Sequence, residues 1–297
     1  MFYGSMTAII TPFRDGDVDW KAFDNLLEWQ IAEGTHGLVV CGTTGESPTL
    51  TDEEHKKIVE RSVKLVKGRI PVIAGTGSNS TAKTIKTSQH AKEAGVDGVL
   101  IVTPYYNKPT QDGLYAHYSA IASAVDTPIV IYNIPGRSVI DMKPETIGRV
   151  ARDHKNIVGV KDATSDISRV KATAAAVGRE FDQLSGEDGV IYDFLEAGGV
   201  GCISVTSNVA PAACAALHNA WRADKKDEAR KINERLMPLH KNLFVETSPA
   251  PVKYACARLG LCANELRLPM IPASSNARKA VDEAMQQAGI AAVQAAA

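Results

Sequence analysis

The passage from Gly98-Val-Leu-Ile-Val102 through a polar turn and a helical stretch to Pro128-Ile-Val-Ile-Tyr132 sets the pattern of the chain. Both apolar runs are continuous rather than alternating. Strands covered on both faces read this way, and parallel sheets are built from such strands. Working outward, equivalent runs begin near Thr7-Ala-Ile-Ile, Gly37-Leu-Val-Val, Ile70-Pro-Val-Ile, Asn156-Ile-Val-Gly-Val, Asp182-Gln-Leu-Ser and Gly201-Cys-Ile-Ser-Val. Helical signals separate them. Phe23, Leu26, Leu27 and Ile31 recur at helical spacing, with Asp19 placed to cap and Gly34 to stop the helix. Thr51-Asp-Glu-Glu54 is a capping box ahead of Ile58, Val59, Val63 and Val66. Ser80 opens a helix that closes at Gly95, Pro144 suits a first turn, and Ser165-Asp166 suits the start of the next helix. Gly189–Ala197 and Ala210–Ala223 supply two more.

Eight strand–helix units in residues 1–224 predict a closed (β/α)8 TIM barrel, with an open doubly wound sheet as the alternative. Residues 225–297 hold no strand-like run and read as a helical region, with helices near Glu228–Val245, Pro251–Leu259 and Asn276–Ala288 and a frayed Ala-rich tail. The 297 residues are 44% hydrophobic and 23% charged, an ordinary globular balance. A formal charge of −1 offers no basic field for nucleic acid. No apolar run approaches the roughly 18 residues needed to cross a bilayer, and Met1–Met6 does not read as a signal peptide. Cys41, Cys202, Cys214, Cys256 and Cys262 contain no C-x-x-C pair, and the odd number fits reduced thiols in a cytoplasmic protein.

In such barrels the chemistry sits at the C-terminal ends of the strands. Those ends read Gly42-Thr-Thr-Gly-Glu46, Gly75-Thr-Gly77, Thr103-Pro-Tyr-Tyr106, Tyr132-Asn133, Lys161-Asp162, Ser185-Gly-Glu-Asp188 and Thr206-Ser-Asn208. No histidine stands at a strand end, so neither a His-based metal site nor a Ser–His–Asp triad is expected. No dinucleotide or P-loop pattern is present. Lys161 follows Ile157-Val-Gly-Val160 at the barrel mouth. Desolvation there would free the amine to attack a carbonyl and form a Schiff base. The competing reading is a lysine paired with Asp162 or Glu187. Tyr132 offers a phenol for proton transfer or a core aromatic with a hydrogen-bonded hydroxyl. Thr43 and Thr44, flanked by Gly42 and Gly45, suit a small carboxylate or an ordinary turn.

Gly42-Thr-Thr-Gly-Glu-Ser47, Val102-Thr-Pro-Tyr-Tyr-Asn107, Tyr132-Asn-Ile-Pro-Gly-Arg137 and Gly159-Val-Lys-Asp-Ala-Thr164 together resemble the signatures of the dihydrodipicolinate synthase family, within the pyruvate-dependent class I aldolases. The similarity runs over nearly the whole chain, including Arg235-Leu-Met-Pro-Leu-His240. The glycine–threonine and lysine motifs are shared across the superfamily, and Arg137 is the narrower mark. The resemblance implies a lyase that condenses pyruvate with aspartate 4-semialdehyde in lysine and diaminopimelate biosynthesis, with no cofactor beyond a covalent imine. It implies Lys161 as the imine-forming amine and Tyr132, Thr43 and Tyr106 as a proton relay, Tyr106 crossing a dimer interface. It further implies Thr44 on the pyruvate carboxylate, Gly186 and Ile203 shaping the pocket, Arg137 on the second substrate's carboxylate, and a homotetramer arranged as a dimer of dimers.

In lysine-inhibited members of the family, an interface pocket uses Ser, His, His, Asn, Glu and Tyr. This chain keeps Ser47, His55, Asn79 and Tyr105, but has Asp52 and Lys83 where His and Glu are expected. Lysine feedback is therefore expected to be weak or absent. Two other readings stand beside the main one. A sugar-acid pyruvate lyase, such as an N-acetylneuraminate lyase or a keto-deoxy-sugar-acid aldolase, would share Lys161 and Tyr132. A phosphate-binding barrel without covalent chemistry would use the Gly186–Gly189 and Thr206–Asn208 loops.

Overall fold

Eight short parallel strands close on themselves in the computed structural model, which describes residues 1–291: β1 (Gly4–Ala8), β2 (Gly37–Val40), β3 (Val72–Gly75), β4 (Gly98–Val102), β5 (Ile129–Asn133), β6 (Ile157–Asp162), β7 (Asp182–Ser185) and β8 (Gly201–Ser204). Each pairs with the next, and β1 closes the ring by pairing with both β2 and β8. The helices that follow them are α1 (Trp20–Ala32), α2 (Asp52–Val66), α3 (Thr81–Ala94), α4 (Gln111–Ala124), α5 (Pro144–Asp153), α6 (Ser168–Val177), α7 (Ile191–Glu196) and α8 (Pro211–Arg222). The expected (β/α)8 barrel is therefore observed, and the open-sheet alternative is excluded.

Continuous apolar strands supply two separate cores. Val39, Ile73, Leu100, Val130, Leu184 and Ile203 fill the barrel interior with Met6 and Phe2. Leu38, Val40, Ala74, Val99, Ile101, Ile129, Ile131 and Val160 face the helices instead. The helices begin and end where local chemistry dictates. Asp19 accepts from the Ala22 amide, Thr51 and Glu54 complete the capping box, and Ser80 caps α3, which stops at Gly95 in the left-handed region.

The sixth strand contains one irregularity that decides the site. Ile157 pairs with Ile129, but Gly159 pairs with Val130, so Val158 is an extra residue. Ile157 and Val160 both face the helices. Simple alternation from Ile157 would send Lys161 to that side as well. The bulge resets the phase and places Lys161 level with Tyr132 on the interior face.

Several elements differ from expectation. β1 begins at Gly4 rather than near Thr7, because Gly4 to Thr7 align with Gly201 to Ser204. β3 begins at Val72 rather than Ile70. α6 begins at Ser168, because the Asp166 carboxylate accepts from the Ser168 amide and hydroxyl. The stretch from Gly189 divides into a 3-10 turn and the short α7. A two-residue hairpin (Phe13–Arg14 with Asp17–Val18) and a single helical turn at Pro135–Ser138 were not anticipated.

After the barrel come α9 (Lys226–Asn242), α10 (Ala250–Arg258) and α11 (Ser275–Gln287), each starting or ending within three residues of its expected bounds. α9 packs on α8 and α11, and α11 packs on α10. The Ala-rich tail, 292–297, lies outside the described residues.

Candidate active site

Lys161 is the penultimate residue of β6 and is 5% exposed, with its Nζ 4.2 Å from the centroid of the Tyr132 ring on the neighbouring strand. A ring face is an attractive seat for an amine head group. Among the described residues no carboxylate lies within ion-pair distance of Lys161, so pairing with Asp162 or Glu187 is not what the lysine does. Asp162 is engaged elsewhere: Arg169 Nε donates to it at 2.8 Å, and the Thr164 amide and hydroxyl donate to its other oxygen. Burial pushes the Glu187 carboxyl above the ordinary carboxylate range, and the nearby charges of Lys161 and Arg137 pull it back. One carboxyl thus feels both cations.

Gly186 explains how the lysine is accommodated. A Cβ there would lie 2.6 Å from the Ala163 Cβ and 3.1 Å from the Lys161 Cε, so only glycine lets the β7 loop close over the amine. Ile203 is fully buried in the barrel interior beneath the same mouth.

Arg137 is exposed on the Pro135–Ser138 turn and donates to the Ser248 carbonyl at 3.1 Å, which ties it to the segment leading into α10. Thr44 is buried and Thr43 half-buried in the loop after β2. That loop is folded by its own backbone: Gly45 and Ser47 amides donate to the Gly42 carbonyl, and the Glu46 amide donates to that of Thr43. Tyr106 stands apart, 88% exposed with a left-handed backbone at φ 73°. A bulky residue in that region is strained, and here it leaves a large ring almost fully exposed.

The four residues of the expected effector set occupy neighbouring loops and helices. Ser47 opens a 3-10 turn, His55 lies on α2, Asn79 precedes α3 and Tyr105 follows β4. His55 donates from Nε2 to the Gly75 carbonyl at 2.8 Å, and burial lowers its pKa. Asp52 and Lys83 face each other at 3.5 Å, both mostly exposed. The two departures are therefore one ion pair joining α2 to α3, and Asp52 partly offsets the positive charge expected to repel a ligand there.

The loops available to a phosphate ligand are already committed. The Val205 and Thr206 amides donate to the Asp188 carboxylate at 2.8 and 3.1 Å, and the Ser204 hydroxyl donates to its other oxygen. Ser207 and Asn208 amides go to Ser204 Oγ and the Val205 carbonyl. A carboxylate built into the chain sits where an external anion would bind.

The match of the chain to known proteins is end to end. A family model described as the dihydrodipicolinate synthetase family covers residues 1–288. A curated 4-hydroxy-tetrahydrodipicolinate synthase of Rhodospirillum centenum is 57% identical over 290 residues, 98% of this chain and 99% of the relative. The chain belongs to the dihydrodipicolinate synthetase family. Among solved members of that family, the dihydrodipicolinate synthase of Aquifex aeolicus superposes with a TM-score of 0.96 at 44% identity, covering 99% of this chain and 100% of that one. The chloride-inhibited enzyme of Acinetobacter baumannii, solved complexed with pyruvate, gives 0.95 at 43% identity over 98% and 100%. Membership of the dihydrodipicolinate synthetase family makes the chain an enzyme, a lyase acting through a Schiff base.

Sequence reasoning passed over three residues that organise this family member's barrel mouth. Asp188 is one. The others are Glu46 and Lys253, which form an ion pair of 2.5 Å with both side chains almost wholly buried. Lysine and glutamate are ordinarily solvated, and the one available signal was Lys253 standing alone in the apolar helical run Ala250-Pro-Val-Lys-Tyr-Ala-Cys256. Cys41, Cys202, Cys214 and Cys256 are buried and Cys262 partly so, and burial raises every thiol's pKa, that of Cys262 to about 12. No helix among the described residues is long and apolar enough to cross a membrane, and no cluster of three His, Cys, Asp or Glu among them is placed to hold a metal ion.

Proposed function

We propose that the chain condenses pyruvate with aspartate 4-semialdehyde, the 4-hydroxy-tetrahydrodipicolinate synthase reaction, with Lys161 as the covalent centre. The observation that carries the assignment of roles is a buried lysine that lacks an ion-pair partner, seated on a tyrosine ring at the mouth of a barrel of this family. Lys161 Nζ adds to the pyruvate C2 carbonyl and water leaves, giving an imine. The imine withdraws electrons, so a C3 proton is lost and an enamine forms. The enamine carbon attacks the aldehyde, the new alkoxide takes a proton, and the substrate's own amine then adds to C2 and displaces Lys161. A six-membered ring closes and the enzyme is free. No external cofactor enters.

Tyr132, Thr43 and Tyr106 move the protons in this reading. Thr44 holds the pyruvate carboxylate, while Gly186 and Ile203 shape the cavity. Arg137 clamps the carboxylate of the second substrate, as a planar guanidinium does well. The exposure of Tyr106 supports its donation across an interface into a partner subunit's site, and we propose a homotetramer built as a dimer of dimers. Five unpaired thiols suit the reducing cytoplasm.

The choice of second substrate rests on Arg137, because a sugar-acid lyase would need hydroxyl-binding groups there. Arg137→Ala is expected to lower kcat/KM for aspartate semialdehyde by roughly 100-fold, the loss of a bidentate charged pair, with pyruvate trapping within about twofold of wild type. A coupled assay with aspartate semialdehyde and with sugar acids measures this. Turnover of a sugar acid in preference to the aldehyde would overturn the assignment.

Feedback by lysine is expected to be weak. Asp52 and Lys83 stand where an imidazole and an ammonium-binding carboxylate are expected, and their pairing leaves neither group free to bind the ligand's ammonium. Initial rates titrated with lysine should show half-inhibition at or above about 1 mM, since a missing charged contact costs roughly tenfold or more in affinity. Half-inhibition far below that would show that the remaining Ser47, His55, Asn79 and Tyr105 suffice.

A further inference from the structure

The Lys253–Glu46 pair is an unusual way to attach a helical extension to a barrel. Lys253 lies on α10 with no exposed surface, and its Nζ is 2.5 Å from Glu46 Oε1 and 4.0 Å from the Phe13 ring centroid. Glu46 Oε2 accepts from the Arg267 amide. Two charges removed from water rarely hold elements together better than a well-packed apolar pair would. What the ionic pair does supply is direction. A carboxylate bridged between an ammonium and an amide has one position, whereas two apolar side chains can slide.

That fixed position falls two residues beyond Thr44. Glu46 adopts a left-handed conformation, φ 54° and ψ 36°, which a side chain bearing a Cβ does not take without support. Its amide donates to the Thr43 carbonyl, and its own carbonyl accepts from the Thr49 amide and hydroxyl. Thr11 Oγ1 donates to the Gly45 carbonyl from the other side. Moving the Glu46 side chain therefore moves the turn that presents Thr43 and Thr44. Arg267 reinforces the same junction, donating through both terminal nitrogens to Glu54 at 2.6 Å and to the Thr49 carbonyl at 3.0 Å.

We propose that Glu46 and Lys253 are positioning residues for pyruvate: their buried ion pair, spanning 207 residues of sequence, locks the Thr43–Thr44 turn in the conformation that grips the substrate carboxylate. The C-terminal helical region thereby becomes part of the substrate-binding machinery. The inference rests on the reading of Thr43 and Thr44 as pyruvate contacts.

The deciding variant is the neutral double replacement Glu46→Gln with Lys253→Met, which leaves no uncompensated charge. Thermal unfolding reports whether stability returns towards wild type relative to Lys253→Met alone. Borohydride trapping at graded pyruvate concentrations reports affinity. The expected result is a half-saturating pyruvate concentration raised about tenfold or more in the double variant, with KM for aspartate semialdehyde within about twofold. A purely structural pair predicts wild-type saturation once stability is recovered, and that outcome overturns the proposal. Glu46→Asp alone, which keeps the charge but shortens its reach by one methylene, gives the same decision if the double variant fails to fold. Wild-type protein is titrated alongside: if it too traps no pyruvate, the imine reading has failed instead.

Discussion

Incubated with pyruvate and quenched with borohydride, the protein is expected to gain the mass of one reduced pyruvate per chain, and peptide mapping is expected to place it on Lys161. Lys161→Arg should abolish the adduct and lower kcat by at least about 10³-fold, the scale on which loss of a covalent route is felt. Arginine keeps the charge on a side chain one atom longer, but its guanidinium stays protonated and is no nucleophile. The fold should survive the change, because no ion pair is broken: Asp162 retains Arg169 and Thr164. Far-ultraviolet circular dichroism matching wild type would show this. An adduct on another lysine, or turnover retained by Lys161→Arg, would remove the chemical basis of the proposed function. Most other lysines are exposed and abundant, so the single-site outcome discriminates sharply.

The same lysine shows which parts of the structure could be read from sequence. Its place at a strand end was legible because parallel strands buried on both faces are unbroken apolar runs, and the run ends where the charge begins. Which face it takes was not legible. A continuous run carries no phase, so Ile157-Val-Gly-Val160 is equally compatible with Lys161 facing the helices or the barrel axis. The bulge at Val158 makes that choice, with Gly159 next to it because a Cβ there would collide with the Asp182 carbonyl. Helix starts fared well where a side chain caps its own helix, as at Asp19, Thr51 and Ser80. They shifted where a longer turn intervenes, as at Asp166. Lys253 in its apolar helical run signalled burial, but nothing in either segment encodes Glu46 as a partner so far along the chain. Threonines and glycines around Glu46 pointed to a candidate carboxylate-binding loop, but not to what holds it.

Asp188→Ala is expected to be the most destabilising single change at the barrel mouth, costing roughly 3–5 kcal/mol, the range for removing one partner of a buried charged network. Asp188 is 3% exposed and accepts from the Ser204 hydroxyl and the Val205 and Thr206 amides, with the Cys202 thiol at 3.8 Å. Alanine leaves those donors without an acceptor in a dry site, each costing about 1–3 kcal/mol if no water enters. Asp188→Asn should cost less, because its amide oxygen can still accept from part of the set. Urea unfolding at matched m-values gives the comparison. A second readout follows from the thiols. Burial, and next the Asp188 charge, hold the Cys202 thiol well above its ordinary pKa. Once the β8 loop loosens, Cys202 should react with an aromatic disulfide reagent faster in Asp188→Ala than in wild type, whereas Cys41, just after β2 with its thiol on the His55 carbonyl, should not. Equal stability of alanine and wild type would mean that the loop amides find other acceptors. If instead the vacated amides stay free, phosphate should stabilise the alanine variant against unfolding while leaving wild type unchanged.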